Sequence, residues 1–128
     1  MNPIQVVVAH VLVVDDEPAI RELFAEILMD EGYPATCAAD GREALSYLAQ
    51  ATALPCLILL DLNMPVMSGW DFRLAQLADP RLASVPVVAV SAGATVVQQA
   101  KIINATGYLA KPVEYVDLVT TVARYCQH

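Results

Sequence analysis

The sequence predicts an α/β fold, a single doubly wound domain with a parallel five-stranded sheet and helices on both faces. Three observations point there. Five short apolar runs alternate with five amphipathic stretches, the pattern of repeated strand–helix units. The runs are apolar without alternation, as strands buried on both sheet faces must be. The chain has 128 residues and is 57% hydrophobic, enough to bury one core without cross-links. The expected organisation is one domain over residues 1–128, with 1–9 as a leader or linker remnant and 10–127 as the (βα)5 core.

The first strand is Val11-Leu12-Val13-Val14. Pro18 suits the first turn of a helix, and Ile20, Leu23, Phe24, Ile27 and Leu28 follow at helical spacing until Gly32 stops it. Tyr33 to Ala38 reads as a second strand, which Pro34 demotes to an edge or a strand start. Asp40 and Glu43 form a capping pair for a helix whose face carries Ala44, Leu45 and Leu48. The third strand is Cys56 to Leu60, and Ser68 caps a helix carrying Trp70, Leu74 and Leu77. Val85 to Val90 is the fourth strand. Thr95 and Gln98 pair as a cap, Val96, Ala100 and Ile103 share a face, and Gly107 ends that helix. Tyr108-Leu109-Ala110 is a short fifth strand, and Tyr115, Leu118, Val119, Val122 and Cys126 make one stripe of a last helix.

Composition excludes several function classes. The net charge is −7 and the seven Lys and Arg residues are scattered, so direct nucleic-acid binding is disfavoured. The uncharged stretches are short or broken by Ser, Gln, Pro and Gly, unlike the ~20 apolar residues of a spanning helix. No positive region precedes an apolar run, so no signal peptide is expected and the chain reads as cytoplasmic. Cys37, Cys56 and Cys126 are far apart and odd in number, which reads as three reduced structural thiols.

Four strands end on polar residues that the preceding runs do not anticipate: Asp15-Asp16-Glu17, Asp61, Ser91 and Lys111. In an open α/β sheet, ligands bind outside the carboxyl ends of the strands, so these residues should converge. Three carboxylates close together resist mutual ionisation. A hard divalent cation such as Mg²⁺, held by oxygen ligands, relieves that repulsion. A cation, an ammonium and a hydroxyl around a carboxylate are equipment for phosphoryl transfer. Asp61 can then act as a nucleophile that forms an acyl phosphate.

The stretches Val13-Val14-Asp15-Asp16-Glu17-Pro18, Leu60 to Gly69, Ser91-Ala92 and Tyr108-Leu109-Ala110-Lys111-Pro112 closely resemble the receiver domain of two-component response regulators. The resemblance covers nearly the whole chain, with the motifs in the family's order and spacing. It implies a flavodoxin-like sheet in the order 2-1-3-4-5. It implies Asp61 as phospho-acceptor, and Mg²⁺ (or Mn²⁺) held by Asp15, Asp16, Asp61 and the backbone carbonyl of Asn63. Ser91, the Ala92 backbone and Lys111 would bind the phosphoryl group. Ser91 and Tyr108 would form the switch, and Lys111–Pro112 would be cis. Asn63 and Gly93 would tune phosphoryl lifetime. The implied donor is a histidine kinase or phosphotransfer protein. The implied output is a downstream protein or a homodimer on the surface of the fourth helix, fifth strand and fifth helix. Val97 and Ile102 there lie off the packed face, which suits docking.

Two other classes fit less well, and the family implies a signalling domain rather than a turnover enzyme. A haloacid-dehalogenase-type phosphohydrolase wants an acid two residues after its nucleophile, where this chain has Asn63. A flavodoxin-like electron carrier needs a phosphate loop where Asp15-Asp16-Glu17 would repel the flavin phosphate. A receiver that no longer phosphorylates and only binds partners is opposed by the full residue set. His10, His128, Trp70, Met64 and Met67 are assigned no chemical role, and Glu17 is expected to support the site from behind.

Overall fold

Strands and helices alternate along the whole computed structural model, which describes residues 9–92 and 95–126. The order is β1 (Val11–Val14), α1 (Pro18–Asp30), β2 (Ala35–Ala38), α2 (Gly41–Gln50), β3 (Leu57–Asp61), α3 (Gly69–Ala78), β4 (Val87–Ala92), α4 (Val96–Ile102), β5 (Gly107–Lys111) and α5 (Tyr115–Tyr125). The expected leader through Val8, Gly93 and His128 lie outside the described residues. Every strand pairing is parallel, and the sheet order is β2-β1-β3-β4-β5. The expected doubly wound sheet is therefore present, with β2 at an edge and Pro34 immediately before its start.

Alternation along each strand builds two cores. Leu12, Val14, Ile58 and Leu60 point to one face and pack with Ala44, Leu48, Phe72 and Ala100 from α2, α3 and α4. Val11, Val13, Leu57 and Leu59 point to the other and pack with Phe24, Leu28, Leu118 and Val122 from α1 and α5. Burial on both faces explains why these runs show no polar alternation.

Local signals hold where side-chain chemistry fixes them. Asp40 accepts a hydrogen bond from the Glu43 amide at 2.9 Å, and Ser68 from the Asp71 amide at 3.2 Å. Gly32 takes φ 89° just past α1, a left-handed conformation that glycine adopts without strain.

Several expectations need correction. Leu23 is 52% exposed, because the inner face of α1 is set by Phe24 and Leu28. Helix α3 turns Phe72, Arg73 and Gln76 inward, leaving Trp70 partly buried, Leu77 exposed and Leu74 69% exposed. Two buried polar side chains can sit on that face because they are satisfied. Arg73 donates to the carbonyls of Ile103 and Asn104 at 3.0 and 2.7 Å and to Gln76 at 2.7 Å. Gln76 donates to the carbonyls of Leu82 and Val85, both at 3.0 Å. Thr95 occupies the cap of α4 but makes no side-chain cap bond. Gly107 opens β5 rather than ending α4; the left-handed residue after α4 is Asn104, at φ 54°. Tyr115 stands half exposed outside the α5 stripe. Cys56 and Cys126 are joined in a disulfide, and only Cys37 is free. The fold brings together two cysteines 70 residues apart, which sequence distance concealed.

Candidate functional site at the carboxyl ends of the strands

Register fixes the site. Val14 pairs with Leu60, so Asp15, one step beyond, stands beside Asp61. Asp61 pairs with Val90 and Ala92 with Lys111, which brings Ser91 and Lys111 to the same edge. Asp61 and Lys111 end their strands and Ser91 is the last but one of β4, so the sheet holds their backbones.

The carboxylates of Asp15, Asp16 and Asp61 offer oxygens within 4.8 Å of one another. Asp15, Asp61 and Ser91 are buried. Lys111 Nζ lies 3.1 Å from Asp15 and 3.5 Å from Asp61. The remaining oxygens are held by backbone amides: Glu17 donates to Asp15 at 2.9 Å and Asn63 to Asp61 at 3.2 Å. Burial raises the Asp61 carboxyl, the Asn63 amide opposes this, and with Asp15, Lys111 and Asp16 included it is pushed up to about 6. Burial acts against the charged form of Lys111, but the Asp15 hydrogen bond and the Asp61 and Asp15 charges outweigh it, and its pKa is raised. One ammonium thus faces three clustered carboxyls. The set is oxygen-rich and short of positive charge, which fits a hard divalent cation.

Other expected residues fall as follows. The Lys111–Pro112 bond is cis. Tyr108 is 50% exposed, its ring outside the core, and Ala92 is exposed at the end of β4. The Asn63 backbone follows Asp61 closely, with its amide donating to the Asp61 carboxylate. Val97 and Ile102 are both exposed on α4, Ile102 at 75%, while Val96, Ala100 and Ile103 pack inward. Met64 is buried, and Met67 and Trp70 pack against the core. His10 contacts the Tyr47 hydroxyl at 2.9 Å, away from the carboxylates.

Two supporting residues escaped the sequence reading. Arg21 donates to the Asp15 carbonyl at 2.7 Å, which steadies the first acidic turn. Gly69 has no room for a side chain: a Cβ there would lie 2.6 Å from the Asp61 carbonyl oxygen and 2.7 Å from the Leu62 Cα. The loop after β3 packs against the start of α3 through that gap. Beside Lys111, a cavity of about 370 Å³ is lined by Ile20, Leu23, Phe24, Pro112 and Val113.

Comparisons with known proteins place the chain in a family and match its fold. Residues 11–123 match the response regulator receiver domain. The chain is 36% identical over 120 residues to a 14.6 kDa protein from the sodA1 3' region of Leptolyngbya boryana, covering 91% of this chain and 88% of that one. It is 36% identical over 120 residues to the alkaline phosphatase synthesis transcriptional regulatory protein SphR of Synechococcus elongatus, covering 87% of this chain and 46% of SphR. Among solved structures, the Vibrio cholerae chemotaxis protein CheY4 superposes with a TM-score of 0.83 at 36% identity, over 93% of this chain and 99% of that one. No helix among the described residues is long and apolar enough to cross a membrane.

Proposed function

The chain belongs to the response regulator receiver domain family of two-component signalling, and from that premise we propose that Asp61 accepts a phosphoryl group from a phosphohistidine donor. The observation that carries this reading is the juxtaposition of Asp15, Asp16 and Asp61 with Lys111 at one end of the sheet.

An Asp61 carboxylate oxygen attacks the phosphorus of the donor, the P–N bond to the donor imidazole breaks, and the imidazole leaves with a proton. The product is an acyl phosphate on Asp61. No general base is required, because the attacking group is the ionised carboxylate. Lys111 supplies positive charge to the transferred oxygens, and Ser91 and the Ala92 amide supply hydrogen bonds. Asp15, Asp16, Asp61 and the Asn63 carbonyl would hold Mg²⁺ (or Mn²⁺), which supplies charge neutralisation when bound. The chain's own contribution is to keep the three acids together and Asp61 shielded from bulk water.

The hollow beside Lys111 supports the seating of a donor protein, a histidine kinase or phosphotransfer protein, through apolar side chains from α1 and the Pro112 turn. The exposed Val97, Ile102 and Tyr108 support an output surface on α4, β5 and α5, taken by a downstream protein or a second copy. Water attack on the acyl phosphate returns the domain to its starting state, at a rate tuned by Asn63 and Gly93. The domain then works as a switch rather than by turnover of a free substrate.

The test is intact mass after incubation with acetyl phosphate and Mg²⁺. One added phosphoryl group, absent without Mg²⁺ and absent from Asp61→Asn, supports the reading. No addition to a folded sample sinks it.

A further inference from the structure

The disulfide lies at the end of the sheet opposite the carboxylates. Cys56 immediately precedes β3, and its amide donates to the His10 carbonyl at 2.9 Å. Cys126 caps the carboxyl end of α5, with its amide donating to the Val122 carbonyl at 2.8 Å. Their Cα atoms are 5.4 Å apart, inside the range that a disulfide spans without backbone movement. Each half is placed by an element with other reasons to be there. Leu57 anchors β3 in the core, and Leu118 and Val122 anchor α5, so the thiols meet whether or not they are bonded.

We propose that Cys56 and Cys126 form a reversible thiol–disulfide couple whose oxidation state sets how firmly the end of α5 is held to the base of the sheet. Cys126 is fully buried, whereas Cys56 is half-buried and so is the thiol that a small reagent reaches first. The Cys56 thiolate attacks a low-molecular-weight disulfide, which expels one small thiol and leaves a mixed disulfide. The Cys126 thiolate then attacks the Cys56 sulfur and expels the second small thiol. Two protein thiols are oxidised, one small disulfide is reduced, and the two protons leave on the two small thiols. A dithiol reductant reverses both steps. Cys37 takes no part: it is the free thiol, on β2, and β1 lies between β2 and β3.

The consequence lies at the point where the chain leaves α5. Cys126 already has extended backbone, at φ −119° and ψ 110°, so the covalent bond holds the last turn just where helical hydrogen bonding ends. Oxidised, that turn is tied to β3; reduced, it is held by side-chain packing, the Cys126 amide hydrogen bond to Val122 and the Tyr125 hydroxyl bond to the Thr106 carbonyl. Because Cys56 and Asp61 flank the same strand, about 16 Å apart by strand rise, the couple and the carboxylate site act at opposite ends. Phosphoryl uptake should therefore persist in both redox states, and the failure of either reading leaves the other intact.

The experiment uses the full chain, equilibrated with glutathione disulfide and then with dithiothreitol. Thiols are blocked with N-ethylmaleimide, the intact mass is read, and non-reduced peptides are mapped. The expected oxidised protein carries one blocked thiol, at Cys37, and a Cys56–Cys126 peptide pair; the reduced protein carries three. Amide exchange across residues 119–126 should be about tenfold slower or more when oxidised. The melting temperature should be higher by on the order of 10 °C. Cys37→Ser should keep the whole response, and Cys56→Ser should abolish it. Three blocked thiols after oxidation, a bond through Cys37, or a bond that leaves exchange at the end of α5 unchanged would each overturn the proposal.

Discussion

Replacing Asp61 by Asn removes one of the two buried carboxylates from a cluster of three, and its effect on stability follows from the titration of that group. The folded Asp61 carboxyl is pushed up to about 6 from an ordinary 3.8. Below pH 4 both folded and unfolded chains hold the proton, and the group costs nothing. Between about pH 4 and 6 the unfolded chain ionises while the folded one resists, so folding stability falls as pH rises; above 6 the loss is complete. At about 1.4 kcal/mol for each pH unit the full loss would be about 3 kcal/mol, and water on the open Asp16 side reduces it to about 1–2 kcal/mol. Asn cannot ionise, so Asp61→Asn should lack this decline. Urea unfolding of both proteins in EDTA at pH 4, 5, 6 and 7.5 reads it directly. The variant's advantage over wild type should grow by about 1–2 kcal/mol across the series. Adding Mg²⁺ at pH 7.5 should then stabilise wild type more than the variant. Parallel pH profiles, or a variant that weakens with rising pH, would refute the claim that the cluster strains Asp61.

Four further outcomes are expected. Lys111→Met removes the ammonium 3.1 Å from Asp15 and 3.5 Å from Asp61, so carbon NMR of the Asp61 carboxyl should show it titrating above its wild-type value, and phosphoryl uptake should slow. Gly69→Ala forces a methyl against the Asp61 carbonyl; urea melts should show a loss of about 1–3 kcal/mol, with a lower Mg²⁺ affinity by fluorescence titration. Arg73→Met strands the Ile103 and Asn104 carbonyls; it should cost about 2–4 kcal/mol by urea melt, and Arg73→Lys should restore little because it cannot fork to both carbonyls. Val97→Glu should leave the melting temperature within about 2 °C of wild type while weakening partner capture or self-association on sedimentation.

What the sequence revealed and what it hid have physical causes. Asp15, Asp61, Ser91 and Lys111 were legible because each interrupts an apolar run, and parallel strands carry such interruptions to one edge. The caps Asp40 and Ser68 were legible because they act over three residues. The inner face of α3 was not. Trp70, Leu74 and Leu77 have helical spacing, yet the buried positions went to Arg73 and Gln76, whose partners are carbonyls from Leu82 to Asn104. No local pattern announces a buried guanidinium satisfied by the end of another helix. The close packing at Gly69 and the meeting of Cys56 with Cys126 were equally out of reach, since both depend on segments that only the tertiary fold juxtaposes.

The central claim is that the acceptor atom belongs to Asp61, and reductive trapping tests it most directly. The chain is treated with acetyl phosphate and Mg²⁺, then with borohydride, which converts an acyl phosphate to the corresponding alcohol, and the peptides are sequenced by mass spectrometry. The account predicts homoserine at position 61 and aspartate retained at positions 15 and 16. Homoserine at either of those positions, or a phosphoryl group that survives borohydride unchanged, would contradict it.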